Sequence, residues 1–233
     1  MLNSKMKKVV VMSLGGSLIM PEKIDYKFLN KFKETLRKHY QTHKFVIICG
    51  GGTLARKYIS ALEKEGKSKK ELSLAGIRAT RSNASFMMQF FGKEANDVLP
   101  LNMKEIKANL KKNNVIIAGA LRFTENSTSD TTAANIAHFI KADFINMTNV
   151  KGLYTADPKK DKKARFIKNI SWKDFEKMAL KLKYKAGQHF VLDQRAATLI
   201  KKYKITTCII GKNPSNLEKL LKHKPFEGTL ISK

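Results

Sequence analysis

FINMTNVKGLYTADP, residues 144–158, joins a short apolar run to a polar loop. The run Phe144–Met147 reads as a buried strand, and Thr148, Asn149 and Val150 carry the chain off it. Gly152 is expected to turn with a positive φ, which a residue without a Cβ adopts at little cost. Tyr154 supplies a flat aromatic face, Asp157 a carboxylate, and Pro158 stops regular structure behind them. A strand that empties into such a loop suits a purine ring and its ribose: the ring lies against Tyr154 and the sugar hydroxyls donate to Asp157. The plain alternative is an ordinary strand and loop with a stacked core tyrosine.

Immediately upstream, Ala120–Ser129 is a polar loop containing Arg122, Thr124, Asn126, Ser127 and Thr128. It runs into Asp130-Thr131-Thr132, which opens a helix to Ile140, with Ser129 or Asp130 expected as the N-cap. Beyond capping, Asp130 is a candidate for organising a transferring phosphoryl group. The loop's hydroxyls and amides are candidates for holding a second substrate.

The amino-terminal third repeats the pattern of a strand that meets glycine. Val9–Met12 is an apolar strand followed by Leu14-Gly15-Gly16-Ser17-Leu18, whose backbone N–H groups can face phosphate oxygens or simply make a tight turn. Helical spacing covers Asp25–Tyr40. A second strand, Phe45–Cys49, runs into Gly50-Gly51-Gly52-Thr53 and directly into a helix, Leu54–Lys64. The first-turn N–H groups of that helix and its dipole make an anion site. Arg56 sits in that first turn, where a cation opposes the dipole unless a phosphate is present. It reads as a phosphate clamp or, failing that, a surface arginine. Gly66-Lys67-Ser68 resembles the end of a Walker A loop, but position 61 is Ala, and no G-x-G-x-x-G follows a strand.

A long helix over Glu71–Phe91 carries Arg78 and Arg81, which suit an anion, a subunit interface or solvent. Leu101–Leu110 is a shorter helix and Val115–Ala118 a third strand. Beyond the quoted stretch come helices Ser171–Leu182, capped by Ser171, and Gln194–Tyr203, entered by a turn between Lys185-Ala186-Gly187 and Asp193. Strand Thr206–Ile210, helix Pro214–Leu221 and strand Gly228–Ile231 close the chain. Strands alternate with helices, without repeats or linkers. The expectation is one α/β domain with a mostly parallel sheet covered on both faces, and ligands at the carboxyl ends of its strands.

With 233 residues, 42% of them hydrophobic, the chain can bury one substantial core. Its apolar runs fall short of the ~20 residues that a membrane-spanning helix needs. Val9–Met12, behind a basic start, is too short for a signal-peptide apolar region. A soluble, cytoplasmic protein is expected. Cys49 and Cys208 lie in strand-like runs and read as buried apolar residues rather than a disulfide framework. The net charge of +27 points toward polyanions, but only seven of the 46 basic residues are arginine and the lysines run along nearly the whole chain. With no nucleic-acid motif beside them they read as a solvated surface, which would still attract anionic nucleotides. Nucleic acid is not expected as a partner.

Taken in order, LGGSLI at 14–19, CGGGTLARKYI at 49–59, AGIRATRSNA at 75–84, STSDTTAA at 127–134, TNVKGLYTADPKKD at 148–161, VLDQRAA at 191–197 and the closing GTLI resemble the amino acid kinase family, and within it the archaeal-type uridylate (UMP) kinases. The resemblance implies a three-layer α/β/α sandwich around a mainly parallel sheet. It also implies an acceptor lobe at about 1–143, an ATP lobe at about 144–233, and a homo-oligomer, commonly a hexamer. The implied activity is transfer of the γ-phosphoryl group of Mg²⁺·ATP to UMP. By resemblance Gly15, Gly16, Ser17, Gly52 and Arg56 would hold the phosphates, Thr148, Tyr154 and Asp157 adenine and ribose, and Asp130 the transfer centre. Gly51, Ser73, Arg81, Thr124, Asn126, Ser127, Thr128 and Ser129 would hold UMP. Four positions differ from the family pattern: Ser13 where a lysine commonly ends the first strand, Ser73 where an acid meets the ribose, a longer 119–130 loop, and Lys151 in place of an aspartate. Rival readings are a nucleotide-binding relative with little catalysis, a kinase for another small phosphate or carboxylate acceptor, and a charge-driven nucleic-acid binder.

Overall fold

A computed structural model describes residues 7–121, 128–158, 161–181 and 191–233. Strand β1 (Lys8–Leu14) leads into a single helical turn, α1 (Gly16–Ile19), then helix α2 (Tyr26–Arg37) and strand β2 (His43–Cys49). Helices α3 (Gly52–Lys64), α4 (Lys69–Phe91) and α5 (Met103–Lys112) precede β3 (Val115–Ala118). Helix α6 (Ser129–Ile140) leads to β4 (Asp143–Met147), a hairpin of β5 (Leu153–Tyr154) with β6 (Phe166–Ile167), and β7 (Asn169–Ser171). The chain closes with α7 (Trp172–Lys181), α8 (Gln194–Lys202), β8 (Thr207–Ile210), α9 (Pro214–Leu221) and β9 (Gly228–Ser232).

Seven strands form one sheet in the order β3-β2-β1-β4-β8-β9-β7. Pairing is parallel from β3 through β8, and β9 runs antiparallel to β8. The central strands are continuous apolar runs because both of their faces are covered. On one face Val10, Met12 and Leu14 pack with Phe28, Leu29 and Phe32 of α2, Phe91 of α4 and Leu217 of α9. On the other, Val11, Val46 and Ile48 pack with Ile106 of α5, Ala133 and Ile136 of α6, Phe175 of α7 and Ile200 of α8. The expected three-layer α/β/α sandwich is therefore present, and both cysteines are free and buried within it.

Parallel β1, β2, β3, β4 and β8 all deliver their carboxyl ends to one edge, where the glycine-rich segments begin. Among the described residues, no helix is long and apolar enough to cross a membrane.

Two local expectations are corrected. Gly152 is not among the glycines with positive φ, which among the described residues are Gly52, Gly66 and Gly92. A Cβ at Gly152 would lie 2.7 Å from Thr229 Oγ1 and 2.9 Å from the Phe166 ring, so close packing, not turn geometry, selects glycine there. Helix α6 is capped by Thr128, not by Ser129 or Asp130. The Thr128 hydroxyl accepts from the backbone N–H groups of Asp130 (3.1 Å) and Thr131 (3.3 Å).

Candidate active site

Two glycine segments form the base of the site. Gly15 N–H donates to the Met147 carbonyl at 3.1 Å, and Gly50 N–H to the Leu14 carbonyl at 2.9 Å, so the ends of β4, β1 and β2 are tied together. Gly16 lies directly on the triple glycine: a Cβ there would meet Gly52 N at 2.4 Å and the Gly50 carbonyl oxygen at 2.5 Å. Gly52 opens α3 with φ +56°. Its N-cap, Gly51, offers no side chain, which leaves first-turn N–H groups for an anion. Arg56 is exposed beside this turn and donates to Thr53 Oγ1 at 2.9 Å. Ser17 is half-buried in α1.

Asp130, in the first turn of α6, lies against the end of β1. Its Oδ1 accepts the Ser13 hydroxyl at 2.6 Å. Burial, then the charge of Asp193, push its pKa up to about 7, with the Ser13 hydrogen bond pulling the other way. Asp193 caps α8 by accepting from Ala196 N–H at 2.9 Å, and it also accepts from the hydroxyls of Thr128 and Thr131. Because Thr128 itself caps α6, one aspartate ties two helix N-termini together.

Of the residues expected on the acceptor side, Ser73 and Arg81 lie on α4. Arg81 donates from Nε to the Ala120 carbonyl at 3.0 Å and from a terminal nitrogen to the Leu121 carbonyl. It thereby anchors the start of the polar loop. Thr80 adds to this by accepting from Ala120 N–H at 2.9 Å. Leu74, Ile77 and Arg81 line an open cleft with Leu101, Asn102, Glu105 and Leu121. Ser73 is exposed on α4, one and two turns before Ile77 and Thr80, and helical spacing gives it the same side. Arg78 is exposed. Thr124, Asn126 and Ser127, with Arg122, lie outside the described residues. Thr128 and Ser129 lie at the start of α6.

At the other end of the site, Thr148 follows β4, its N–H donating to the Ile210 carbonyl at 3.0 Å. Tyr154 is half-buried in the β5–β6 hairpin, its ring 5.3 Å from that of Phe166 in an edge-on contact. Asp157 closes the hairpin loop, its carbonyl accepting from Asp161 N–H. Lys151 pairs with Glu227 at 2.8 Å, which gives this departure from the family pattern a surface partner.

Sequence reasoning missed several supporting residues. Asn83 is buried and donates to the Gly50 carbonyl at 2.7 Å, fixing the triple glycine from behind. Asn146, in the middle of the quoted apolar run, donates to the Val191 carbonyl. For Asn146 a polar residue inside an apolar run was the available signal, since burial there requires a hydrogen-bond partner; Asn83, between Ser82 and Ala84, carried no such mark.

The profile described as "Amino acid kinase family" matches residues 8–211. A uridylate kinase of Archaeoglobus fulgidus is 36% identical over 96% of this chain and 99% of its own length. The crystal structure titled as uridylate kinase from Archaeoglobus fulgidus superposes with a TM-score of 0.84 at 35% identity, covering 97% of this chain and all of the other. A UMP kinase structure from Ureaplasma parvum, at 20% identity, shares the fold with a TM-score of 0.78.

Proposed function

The chain belongs to the amino acid kinase family, and we propose that it is a uridylate kinase, transferring the γ-phosphoryl group of ATP to UMP to give UDP and ADP. The observation that carries this reading is the convergence, at one sheet edge, of two interlocked glycine segments, an uncapped helix N-terminus and Asp130, in a chain alike over 95–96% of its length to curated uridylate kinases. Phosphoryl transfer asks a protein for positioning and charge stabilisation more than for covalent chemistry. In this reading the N–H groups of Gly15, Gly16, Ser17 and Gly52, with Arg56, hold the transferring phosphates. Thr148, Tyr154 and Asp157 take adenosine, and Asp130 organises the centre. UMP lies beside Gly51 and Ser73, on the side where Arg81 holds Ala120 and Leu121.

Among the described residues no group of three or more His, Cys, Asp and Glu side chains comes together to hold a metal. Mg²⁺ would come in on the nucleotide's own phosphates, which the uncapped first turn of α3 is open to receive. When bound, the ion neutralises charge on the phosphates. The protein's part is to seat them on the glycine base.

Helix α3 buries none of its residues within the chain, although Leu54, Ile59 and Leu62 recur at helical spacing and Tyr58 is 49% exposed. We read this face, with its neighbour α4, as the self-association surface of a homo-oligomer. The enzyme would serve pyrimidine nucleotide synthesis in the cytoplasm. ADP release measured with UMP, CMP, AMP and GMP tests the assignment. UMP should be the best acceptor, and a better rate with CMP or AMP, or none with all four, would overturn it.

A further inference from the structure

Two buried polar side chains sit side by side in the centre of the sheet. Ser13 on β1 is paired in register with Asn146 on β4, and they are 1% and 3% exposed. Alternation along the strands puts them on the same face as Val11, Ile48 and Phe144, in its mainly apolar central part. A valine at 13 and a leucine at 146 would suit that face for packing alone. A hydroxyl and an amide there are tolerable only when hydrogen-bonded.

Both partners belong to the segments that bear the site's carboxylates. Ser13 donates to Asp130 Oδ1 at 2.6 Å. Asn146 donates to the carbonyl of Val191, two residues before Asp193, which in turn holds Thr128, Thr131 and the N-terminus of α8. Both strands are paired on either side within the sheet, and a side chain fixed to such a strand is held in place by it.

We propose that the register pair Ser13–Asn146 is the positioning floor of the phosphoryl-transfer centre, with Ser13 aiming the Asp130 carboxylate and Asn146 setting the Val191–Asp193 segment. The proposal rests on the kinase reading above for its effect on rate, and on geometry alone for the links themselves. Positioning residues act on the chemical step, so their loss lowers kcat and leaves substrate binding nearly unchanged.

The test compares Ser13→Thr with Ser13→Val, which have the same shape and differ by one hydroxyl. Any overpacking at the site is common to both. Ser13→Thr should keep kcat for UMP within about 3-fold of wild type, while Ser13→Val should lose about 30-fold or more with KM for ATP and UMP moved by less than about 3-fold. Asn146→Leu should lower kcat by about 10-fold in the same pattern. Ser13→Ala serves if both branched variants fail to fold, and it should behave as Val does. Equal kcat for the Thr and Val variants, or a loss confined to KM, would overturn the proposal. A normal kcat in Asn146→Leu would overturn its second half.

A separate readout does not depend on turnover. In the nucleotide-free chain the carboxyl ¹³C resonance of Asp130, which faces Ser13 and Asp193, should titrate at higher pH in Ser13→Val than in Ser13→Thr, because the lost hydroxyl stabilised the ionised form. Coincident curves would sink the Ser13 link even if the enzyme works. A wild type inactive on UMP, with distinct curves, would sink the reaction assignment and leave the link standing.

Discussion

Gly16 and Gly52 occupy each other's side-chain space. A Cβ on Gly16 would lie 2.4 Å from Gly52 N, and one on Gly52 would lie 2.4 Å from the Gly16 carbonyl carbon. Backbone meets backbone there, and no flexible side chain can give way. Gly16→Ala should therefore destabilise the chain by about 2 kcal/mol or more through overpacking and abolish turnover by prising apart the glycine segments. Urea unfolding and initial rates check both. A variant of wild-type stability would mean that the two segments separate easily.

Asp130→Asn should lose turnover yet keep ATP affinity within a few-fold. The helix cap is untouched, because Thr128 provides it. Stability should move in the opposite direction from activity. The carboxyl titrates near 3.8 when unperturbed and at about 7 in the folded chain. Between those values the folded state holds the extra proton, so stability falls as pH rises from about 4 to about 7. Asn removes that loss. Melting temperatures of mutant and wild type should be close at pH 4, and at pH 8 the mutant should be higher by a few degrees.

Arg56→Ala should raise KM for ATP by about 10-fold, while Lys57→Ala on the next, outward-facing position changes it by less than about 2-fold. Arg56 already leans over the first turn of α3 through Thr53. Equal small effects from both variants would make Arg56 a surface residue.

Ser73→Asp should tighten UMP by about 10-fold and leave ATP unchanged, since an ionised acceptor binds ribose hydroxyls more strongly than a serine hydroxyl does. The guanidinium of Arg81, two turns along α4, is engaged with the Ala120 and Leu121 carbonyls and is not free to neutralise the new carboxylate. A shift in ATP affinity instead would place Ser73 on the wrong side of the transfer centre.

Acid should weaken the chain through a corner far from the site. His39 Nε2 is buried with no hydrogen-bond partner among the described residues, and its ring lies 5.6 Å from that of His43. Burial, then Lys222, hold the His39 pKa below 6.5, with Glu218 opposing and Lys38 adding. Burial, then His39, Lys8 and His223, do the same for His43. The unfolded chain therefore takes up these protons first. Stability is complete above about pH 7 and is lost as pH falls through 6.5 toward the folded-state values. His39→Leu should flatten that decline in melting temperature, and an unchanged slope would exonerate the pair.

The layers of this fold were legible because alternation and helical spacing are local properties: β3 and α9 fall on the residues the sequence indicates, and β2 and α8 differ by one or two at an end. What stayed hidden depends on distant parts of the chain. Thr128 rather than Asp130 caps α6 because Asp193 holds the Thr128 hydroxyl from 65 residues away. Gly152 is small because Thr229 and Phe166 crowd it. The sense of β9 was not written in its five residues: it runs antiparallel to β8 although α9 lies between the two in sequence. Ser13 looked like a deviation from a family pattern until its partner, Asp130, could be seen across 117 residues.

Helix α3 begins at Gly52 and carries Arg56, yet none of its side chains is buried by the rest of the chain. A helix of 13 residues held mainly through its neighbour is marginal by itself in water. If a second copy covers its outer face, the turn proposed to bind phosphate shares its stability with the association equilibrium, and mass action governs both. Dilution would then melt the nucleotide site before it melts the sheet, so specific activity would depend on how much of the protein is present.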